Sequence, residues 1–191
     1  MDDVQRCWWG GGDRPDHRMR AYHDTEWGVS VTDDIELFER LSLECFQAGL
    51  SWQTILNKRE AFRAAFRGFD PAVVAAFGDE DRARLMADAG IVRNRAKIEA
   101  TIGNARALLA VVDVFGSFDA YLGSLVPGPR ARLAATASMG DIPATTPASD
   151  ALSRDLRRRG FGFVGSTIVY AFMQSVGLVD DHLPGCFRYC G

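Results

Sequence analysis

Signals for the starts and ends of helices recur at short intervals along this sequence, and they constrain the fold more than any other feature. Asp33, with Glu36 three residues later, resembles a capping box and predicts a helix that runs to about Ala48. Ser51 predicts the N-cap of a second helix that ends at Gly68. No segment alternates apolar and polar residues with the period of two that half-buried strands show. The pattern therefore predicts an all-α fold.

The same signals predict the later helices. They are expected at 71–78, at 79–89, at about 94–112, after Gly116, and at 148–159. The stretch 127–147 is rich in proline, glycine and threonine, and it predicts a long connection with room for part of a helix. The apolar segment 166–176 is rich in β-branched residues, so a strand is an alternative there, but its length favours a buried helix.

Composition restricts the class of protein. The chain has 191 residues, 47% of them hydrophobic and 25% charged, which suits one domain or two small ones and excludes a disordered chain. The longest apolar run, 168–173, is far shorter than the roughly 20 residues of a membrane-spanning helix. Because no signal-peptide pattern opens the sequence, we expect a cytoplasmic protein. The net charge of −3 argues against a strongly basic DNA-binding surface but permits a local basic patch.

Glu44 is a carboxylate in an apolar context. It lies on the same stripe of its predicted helix as Leu37, Leu41 and Ala48. A carboxylate there is buried or lines a cavity, and in either case it needs a partner. It is either a functional group with a perturbed protonation equilibrium or a structural group that bonds a helix N-terminus in the core.

Cysteine and histidine concentrate near the two ends of the sequence. The tail contains His182 and Cys186 four residues apart, and the head contains Cys7 and His23. Two cysteines and two histidines suit tetrahedral zinc, and four protein ligands would make the site structural, joining the two end segments. The alternative is a set of unrelated free thiols and surface histidines.

Aromatic residues are dense in the first quarter of the chain. Such side chains on loops and helix starts can enclose a flat ligand such as a nucleobase, although aromatic residues more often belong to the core. The residues concerned are Trp8, Trp9, Tyr22, Trp27 and Trp52.

The segment 85–95 predicts a helix, a tight turn at Gly90 and a second helix with basic residues at its start. Exposed backbone N–H groups at the second N-terminus could bind a DNA phosphate, and Arg93, Arg95 and Lys97 would add positive charge. An ordinary corner between two helices is the alternative.

Taken together, these features resemble the bacterial DNA-3-methyladenine glycosylase I family. The resemblance covers residues 7–186 and is specific as a combination. The matching segments are 21–28, 43–52, 57–60, 88–95, 102–106, 158–165 and 177–182, with Cys186 after them.

The resemblance implies a helix-hairpin-helix glycosylase with one structural zinc ion. Its zinc ligands match Cys7, His23, His182 and Cys186, with Cys190 a possible substitute for Cys186. The chain would form one unit of two lobes, one at about 33–115 and one made of about 1–32 and 116–191.

Functional roles follow from the same resemblance. Glu44 matches the carboxylate of the base pocket, and Tyr22, Trp52 and Trp9 match its aromatic walls. The turn at Gly90, with Arg93 and Arg95, would bind DNA.

The implied reaction is hydrolysis of the bond between 3-methyladenine and deoxyribose in double-stranded DNA, with release of the free base. The methylated base is cationic and leaves readily, so the enzyme needs to flip the nucleotide out, hold the base and stabilise the sugar cation while water attacks. The Glu44 carboxylate would attract the cation, and the absence of a distinctive lysine nucleophile predicts no strand cleavage. We expect a monomer.

The sequence departs from the family at one pocket position. Met19 stands where many members carry a tyrosine, so the role of that hydroxyl is not transferred to this chain. No aspartate after the hairpin matches the residue that related enzymes use to activate water; Glu99 and Asp113 follow it without a defensible motif. Two other functions are considered, namely a zinc-stabilised module that binds damaged DNA without catalysis and a hydrolase with a catalytic metal.

Overall fold

The computed structural model describes residues 4–11, 17–128 and 130–189, and it is mostly helical, as predicted. Two segments of two residues, β1 (Ala131–Arg132) and β2 (Val179–Asp180), pair in parallel. The α-helices of the described residues are α1 (Trp8–Gly11), α2 (His17–Thr25), α3 (Asp34–Gln47), α4 (Trp52–Ala65), α5 (Pro71–Ala75), α6 (Asp79–Ala87), α7 (Arg95–Phe115), α8 (Phe118–Leu125), α9 (Pro147–Arg158) and α10 (Ser166–Ser175).

The predicted N-caps are confirmed. The Asp33 side chain accepts a hydrogen bond from the backbone N–H of Glu36 at 2.9 Å, and the Ser51 hydroxyl accepts one from that of Thr54 at 3.2 Å. The Glu36 side chain does not complete the capping box but accepts a hydrogen bond from Arg40 one turn further along α3. Caps depend on local sequence alone, so α3 and α4 begin where the sequence predicts.

Several predicted helix ends are displaced by a few residues. α6 ends at Ala87 instead of Ala89, because the Asp88 side chain accepts a hydrogen bond from the backbone of Gly90 and turns the chain. α7 continues three residues past Val112, to Phe115, before Gly116 ends it at a φ of 86°. The segment 166–176 is helical over Ser166–Ser175, so the strand alternative was wrong.

The sequence patterns did not predict α1, α2 or the strand pair. α2 has no continuous apolar stripe, and among its described residues Tyr22 and His23 are the two that are buried. Each of these side chains is held by parts of the chain distant in sequence, as shown below. A strand of two residues, as in β1 and β2, is too short to show a period.

α3 lies at the centre of the core. It contacts α4, α7, α8 and α10, and its residues 37–46 are buried throughout. A smaller apolar cluster of Tyr22, Trp27 and Leu56 lies beside this core, with Trp9, Met19 and Trp52 packed against it. The smaller cluster places the aromatic residues of the head next to Glu44.

The described part of the chain contains no individual helix with the length and apolarity needed to cross a membrane. Two consecutive helices, Arg95–Phe115 and Phe118–Leu125, are together long and apolar enough for a membrane span, but their axes are bent by 77° at the break between them.

Candidate active site and metal centre

The four residues predicted as zinc ligands come together. One ligand atom from each of Cys7, His23, His182 and Cys186 lies within 4.8 Å of the other three, and all four residues are buried. Nδ1 of His182 lies 3.7 Å from both sulfur atoms, and Nε2 of His23 lies 3.4 Å from Cys186 Sγ. Cys190 lies outside the described residues.

This donor set fits a tetrahedral zinc ion. Ordinary zinc–sulfur and zinc–nitrogen bond lengths place sulfur and nitrogen about 3.5 Å apart on a tetrahedral edge. The observed separations of 3.4 and 3.7 Å match that edge. With four protein ligands, the site has no open position for a substrate.

Neighbouring groups fix which ring nitrogen of each histidine faces the cluster. Nδ1 of His23 lies 2.8 Å from an Asp24 carboxylate oxygen, which leaves Nε2 for the cluster. Nε2 of His182 lies 3.3 Å from the backbone carbonyl of Trp27, which leaves Nδ1. Carboxylate and carbonyl partners of this kind orient metal-bound imidazoles. Burial lowers the pKa of both rings, that of His182 to about 4, so both are neutral and able to ligate.

Backbone groups also face the sulfur atoms. The N–H of Leu183 donates to Cys7 Sγ at 3.3 Å, and that of Arg188 donates to Cys186 Sγ at 3.5 Å. Gly10 passes so close to His23 that an added Cβ would lie 2.4 Å from the ring. A glycine is therefore required where α1 crosses the cluster.

A cavity of about 450 Å³ lies next to the cluster of Cys7, His23, His182 and Cys186. Its aromatic lining includes the three predicted wall residues, Trp9, Tyr22 and Trp52, together with Trp8 and Trp27. The ring centres of Tyr22 and Trp52 are 5.2 Å apart, and those of Trp9 and Trp27 are 5.0 Å apart. Met19, at the position of the missing tyrosine, also lines the cavity.

The cavity and this Cys–His cluster share a wall. The ring of Trp27 packs edge-on against that of His182, with centres 4.6 Å apart, and Trp9 packs in the same way against His23 at 5.0 Å. Tyr22 and His23 are consecutive residues of α2, of which the first lines the cavity and the second belongs to the cluster. The position of the cavity wall therefore depends on the cluster.

Glu44 lines the cavity from α3, as its place on the buried stripe predicted. It is 5% exposed, and among the described residues its carboxyl group has no hydrogen-bond partner. Burial raises the pKa of this carboxyl to about 8, against an opposing effect of the nearby Arg40. A carboxyl group without a protein partner in a cavity is available to a ligand.

Two neutral amides in the lining were not predicted. Gln47 lies one turn after Glu44 on α3, and this spacing could have identified it. Gln174 lies on α10, and its Nε2 donates to the Asp181 carboxylate at 2.7 Å. Because a carboxylate only accepts, this bond fixes Nε2 as the donor, and it leaves the amide oxygen and the second N–H of Gln174 for a ligand. The polar Gln174 within an apolar segment was the sequence signal for this residue.

The turn at Gly90 joins α6 to α7 as predicted. A Cβ at Gly90 would lie 3.0 Å from the Ala61 side chain on α4, so the residue allows a close approach. The Lys58 ammonium donates to the carbonyls of Ala89 and Gly90 at 3.0 and 3.1 Å and ties the turn to α4.

The basic residues after this turn divide into two groups. Arg93 and Arg95 are exposed. Lys97 is buried, and its ammonium donates to the carbonyls of Phe46 and Ala48 at 2.8 and 2.6 Å, at the C-terminal end of α3. The expected contribution of Lys97 to a surface patch was therefore wrong, because this cation neutralises a helix end.

Comparison with known proteins agrees with this geometry. The family model described as methyladenine glycosylase matches residues 11–189. DNA-3-methyladenine glycosylase 1 of Escherichia coli strain K12 is 50% identical over 188 residues, which is 98% of each chain.

Solved structures agree as well. A structure that describes 3-methyladenine recognition by 3-methyladenine DNA glycosylase I from Staphylococcus aureus superimposes with a TM-score of 0.91 at 35% identity, over 98% of this chain and 99% of that one. A tyrosine-to-phenylalanine variant of 3-methyladenine DNA glycosylase I in complex with 3-methyladenine gives a TM-score of 0.90 at 35% identity, over 97% and 99%. The chain therefore belongs to the methyladenine glycosylase family and is an enzyme of the class that hydrolyses N-glycosyl bonds.

Proposed function

We propose that this enzyme flips 3-methyladenine out of double-stranded DNA, hydrolyses its N-glycosyl bond and releases the free base, which initiates base-excision repair. One observation carries the proposal: the Glu44 carboxyl is buried without a hydrogen-bond partner among the described residues, in a cavity walled by aromatic rings. A cavity of this kind suits an extruded cationic base, because the rings stack on it and the carboxylate attracts it.

Charge provides the selectivity in this proposal. In the empty cavity the raised pKa of Glu44, about 8, favours the neutral acid near pH 7. A cationic base entering the cavity would favour the carboxylate, and Glu44 would release its proton to solvent as the base binds. Neutral adenine would provide no such charge, so it would bind more weakly.

Hydrogen bonding would add to this selectivity. The amide oxygen of Gln174, left free by the bond of its Nε2 to Asp181, can accept a hydrogen bond from the exocyclic amine of adenine. A guanine presents a carbonyl oxygen at the equivalent position, and two acceptors repel each other.

The chemistry needs little proton transfer to the base. The leaving base is already cationic, so bond cleavage produces an oxocarbenium-like sugar that water attacks. We propose no covalent lysine intermediate and hence an intact abasic strand as the DNA product.

The turn at Gly90 is proposed to bind DNA as a helix-hairpin-helix element. Arg93 and Arg95 are exposed beside it, and the first backbone N–H groups of α7 are suited to a phosphate. This patch would act within a chain of net charge −3, so binding would depend on local charge.

We propose that Cys7, His23, His182 and Cys186 hold one structural zinc ion. The matching sulfur–nitrogen separations, the histidine partners and the backbone donors to sulfur support this assignment. When bound, the ion would supply only cross-linking, because four protein ligands leave no position for water. The same closed set argues against a hydrolase with a catalytic metal.

We also propose that the protein is a monomer of two lobes. One lobe comprises about 33–115, and the other comprises about 1–32 together with 116–191.

The direct test is release of free 3-methyladenine from methylated duplex DNA by the wild type and by Glu44→Gln. We expect release by the wild type without strand cleavage, and a loss of about 100-fold or more in the variant, as for other preorganised charged groups in active sites. The variant keeps the size of the side chain, and circular dichroism checks its fold. Binding of methylated DNA without release would instead favour the module that binds damage without catalysis.

A further inference from the structure

Arg40 is a buried cation beside the cavity that the sequence did not single out. It is 4% exposed, and its Nη2 lies 2.9 Å from a carboxylate oxygen of Glu36 and 2.9 Å from one of Glu26. Its Nη1 is buried without a hydrogen-bond partner among the residues that the structure describes. A buried guanidinium with an unused donor is costly, so it needs an explanation.

Arg40 lies on α3 between Glu36, which is exposed to solvent, and Glu44, which lines the cavity. Glu36, Arg40 and Glu44 follow one another at intervals of four residues, so their side chains lie along one face of the helix. The Arg40 guanidinium carbon also lies 5.7 Å from the ring centre of Tyr22, within the range of a cation–π contact. The guanidinium thus contacts the ring of Tyr22 and lies one helical turn from Glu44, and both of these residues line the base cavity.

A purely structural ion pair does not explain this placement. Glu26 already accepts two hydrogen bonds from Arg59, at 2.6 and 3.0 Å. The Glu36 side chain is 46% exposed and is solvated without a cation. Glu26 therefore has a second cation and Glu36 has solvent, whereas Arg40 is the one cation on the face of α3 that carries Glu44.

We propose that Arg40 is a positioning residue that makes the ionised form of Glu44 accessible near neutral pH, so that the cavity can bind a cationic base. Glu26 and Glu36 hold the guanidinium in place through its Nη2. The inference rests on the proposed function, because it assigns Arg40 a role through the carboxylate that holds the base.

The charges around Glu44 agree with this role. Burial raises the pKa of Glu44, and Arg40 is the charged neighbour that lowers it. No other element packed against Glu44 contributes a free cation within the described residues, since the Lys97 ammonium of α7 is bound to backbone carbonyls. The remaining titratable or polar groups that the structure places around it are Tyr22 of α2, Cys45 and Gln47 of α3, Trp52 of α4 and Gln174 of α10.

The test is a direct titration of Glu44 in three proteins. We would follow its side-chain carboxyl by ¹³C NMR in the wild type, in Arg40→Met and in Arg59→Met. Methionine fills the space of the removed side chain without charge, and Arg59→Met removes a matched charge from the same Glu26 carboxylate. We expect the Glu44 pKa to rise by about one unit in Arg40→Met and to stay in place in Arg59→Met.

The release of 3-methyladenine should follow the titration. At pH 7 a rise of about one unit reduces the ionised fraction of Glu44 about tenfold, so Arg40→Met should release the base about tenfold more slowly and recover as the pH is raised. Arg40→Lys, which retains a cation, should restore much of the rate. A merely structural role would lower the rate equally at every pH.

The two hypotheses fail in different ways. An unchanged Glu44 titration in folded Arg40→Met, or an equal shift in Arg59→Met, overturns the role of Arg40. If Arg40→Met does not fold, Arg40→Gln keeps a hydrogen-bond donor without charge and decides the question in the same way. Absence of base release by the wild type would overturn the proposed function, while the titration still decides whether Arg40 controls the protonation of Glu44.

Discussion

The Cys–His cluster and the aromatic cavity lie side by side, but they differ in whether their buried polar groups have hydrogen-bond partners. In the cluster both histidines have a carboxylate or carbonyl partner, and backbone N–H groups face both sulfur atoms. In the cavity Glu44 has no hydrogen-bond partner among the described residues. Satisfied buried groups stabilise a structure, whereas unsatisfied ones cost stability and are retained where a ligand can satisfy them. This contrast is the one expected if the cluster serves stability and the cavity binds a ligand.

Removal of a cluster ligand should have the largest effect. Cys186→Ser should lower the free energy of unfolding by several kcal/mol, because a structural metal contributes its binding free energy to folding. Thermal denaturation with metal analysis would check this, and one zinc ion per chain is expected in the wild type. Cys45→Ser is the matched control, since Cys45 is a buried cysteine outside the cluster. If a metal-free Cys186→Ser protein were as stable as the wild type, the cluster would have no structural role.

Glu44→Gln should raise the free energy of unfolding at alkaline pH, whereas loss of a cluster ligand lowers it. The pKa of Glu44 is raised from 4.5 to about 8 in the folded protein. Because the folded state binds this proton more tightly than the unfolded chain does, its contribution to the free energy of unfolding is fully present below about pH 4.5 and is lost as the pH rises through 8. Glutamine does not ionise, so at pH 8–9 the variant should be more stable than the wild type by roughly a few kcal/mol. Urea denaturation at pH 5 and pH 9 measures the difference. An equal pH dependence of the free energy of unfolding in the two proteins would show that burial does not raise the pKa of Glu44.

Gln174→Leu should have a smaller and more selective effect. Loss of one hydrogen bond to the exocyclic amine should slow 3-methyladenine release about tenfold. Release of 3-methylguanine should slow less, because its carbonyl gains nothing from the Gln174 oxygen. Gln47→Leu is the matched control for removing an amide from the cavity lining. Equal losses for both bases would mean that Gln174 shapes the cavity without reading the base.

The smallest effects are expected at the turn. Arg93→Ala and Arg95→Ala should each weaken DNA binding several-fold and reduce its salt dependence by about one ion. Lys97→Met should leave that dependence unchanged and lower stability instead, because the Lys97 ammonium bonds the carbonyls that end α3. Fluorescence anisotropy at several salt concentrations separates the two kinds of cation. An equal effect of Lys97→Met on salt dependence would place this residue at the DNA surface.

Features encoded within a few residues were predictable from the sequence. Asp33 and Ser51 cap the helices that they were expected to cap, and Glu44 lies on the buried face that its spacing indicated. The four cluster residues lie far apart in the sequence, and it was the resemblance to a known family, not their spacing, that identified them as one set.

Features that depend on contacts between distant segments were not predictable. Lys97 has the sequence context of a surface cation, but three-dimensional packing places it at the end of α3. Gln174 acquires its orientation from Asp181, seven residues away and beyond the end of its helix. Arg40 follows the helical pattern of an exposed ion pair with Glu36, and only the folded position of Tyr22 shows that it packs against a residue of the cavity wall.

The contact between Trp27 and His182 has a consequence for the order of folding. The cluster joins Cys7 to His182 across 175 residues of chain, and closing so long a loop is entropically slow. The contacts of α3 with α4, α7 and α8 join elements nearer to one another in sequence and can form first, whereas its contact with α10 also waits for a distant segment. The cavity wall supported by the cluster would then be completed last, so a nascent chain that has not yet reached Cys186 would fold its core without acquiring a finished cavity for a base.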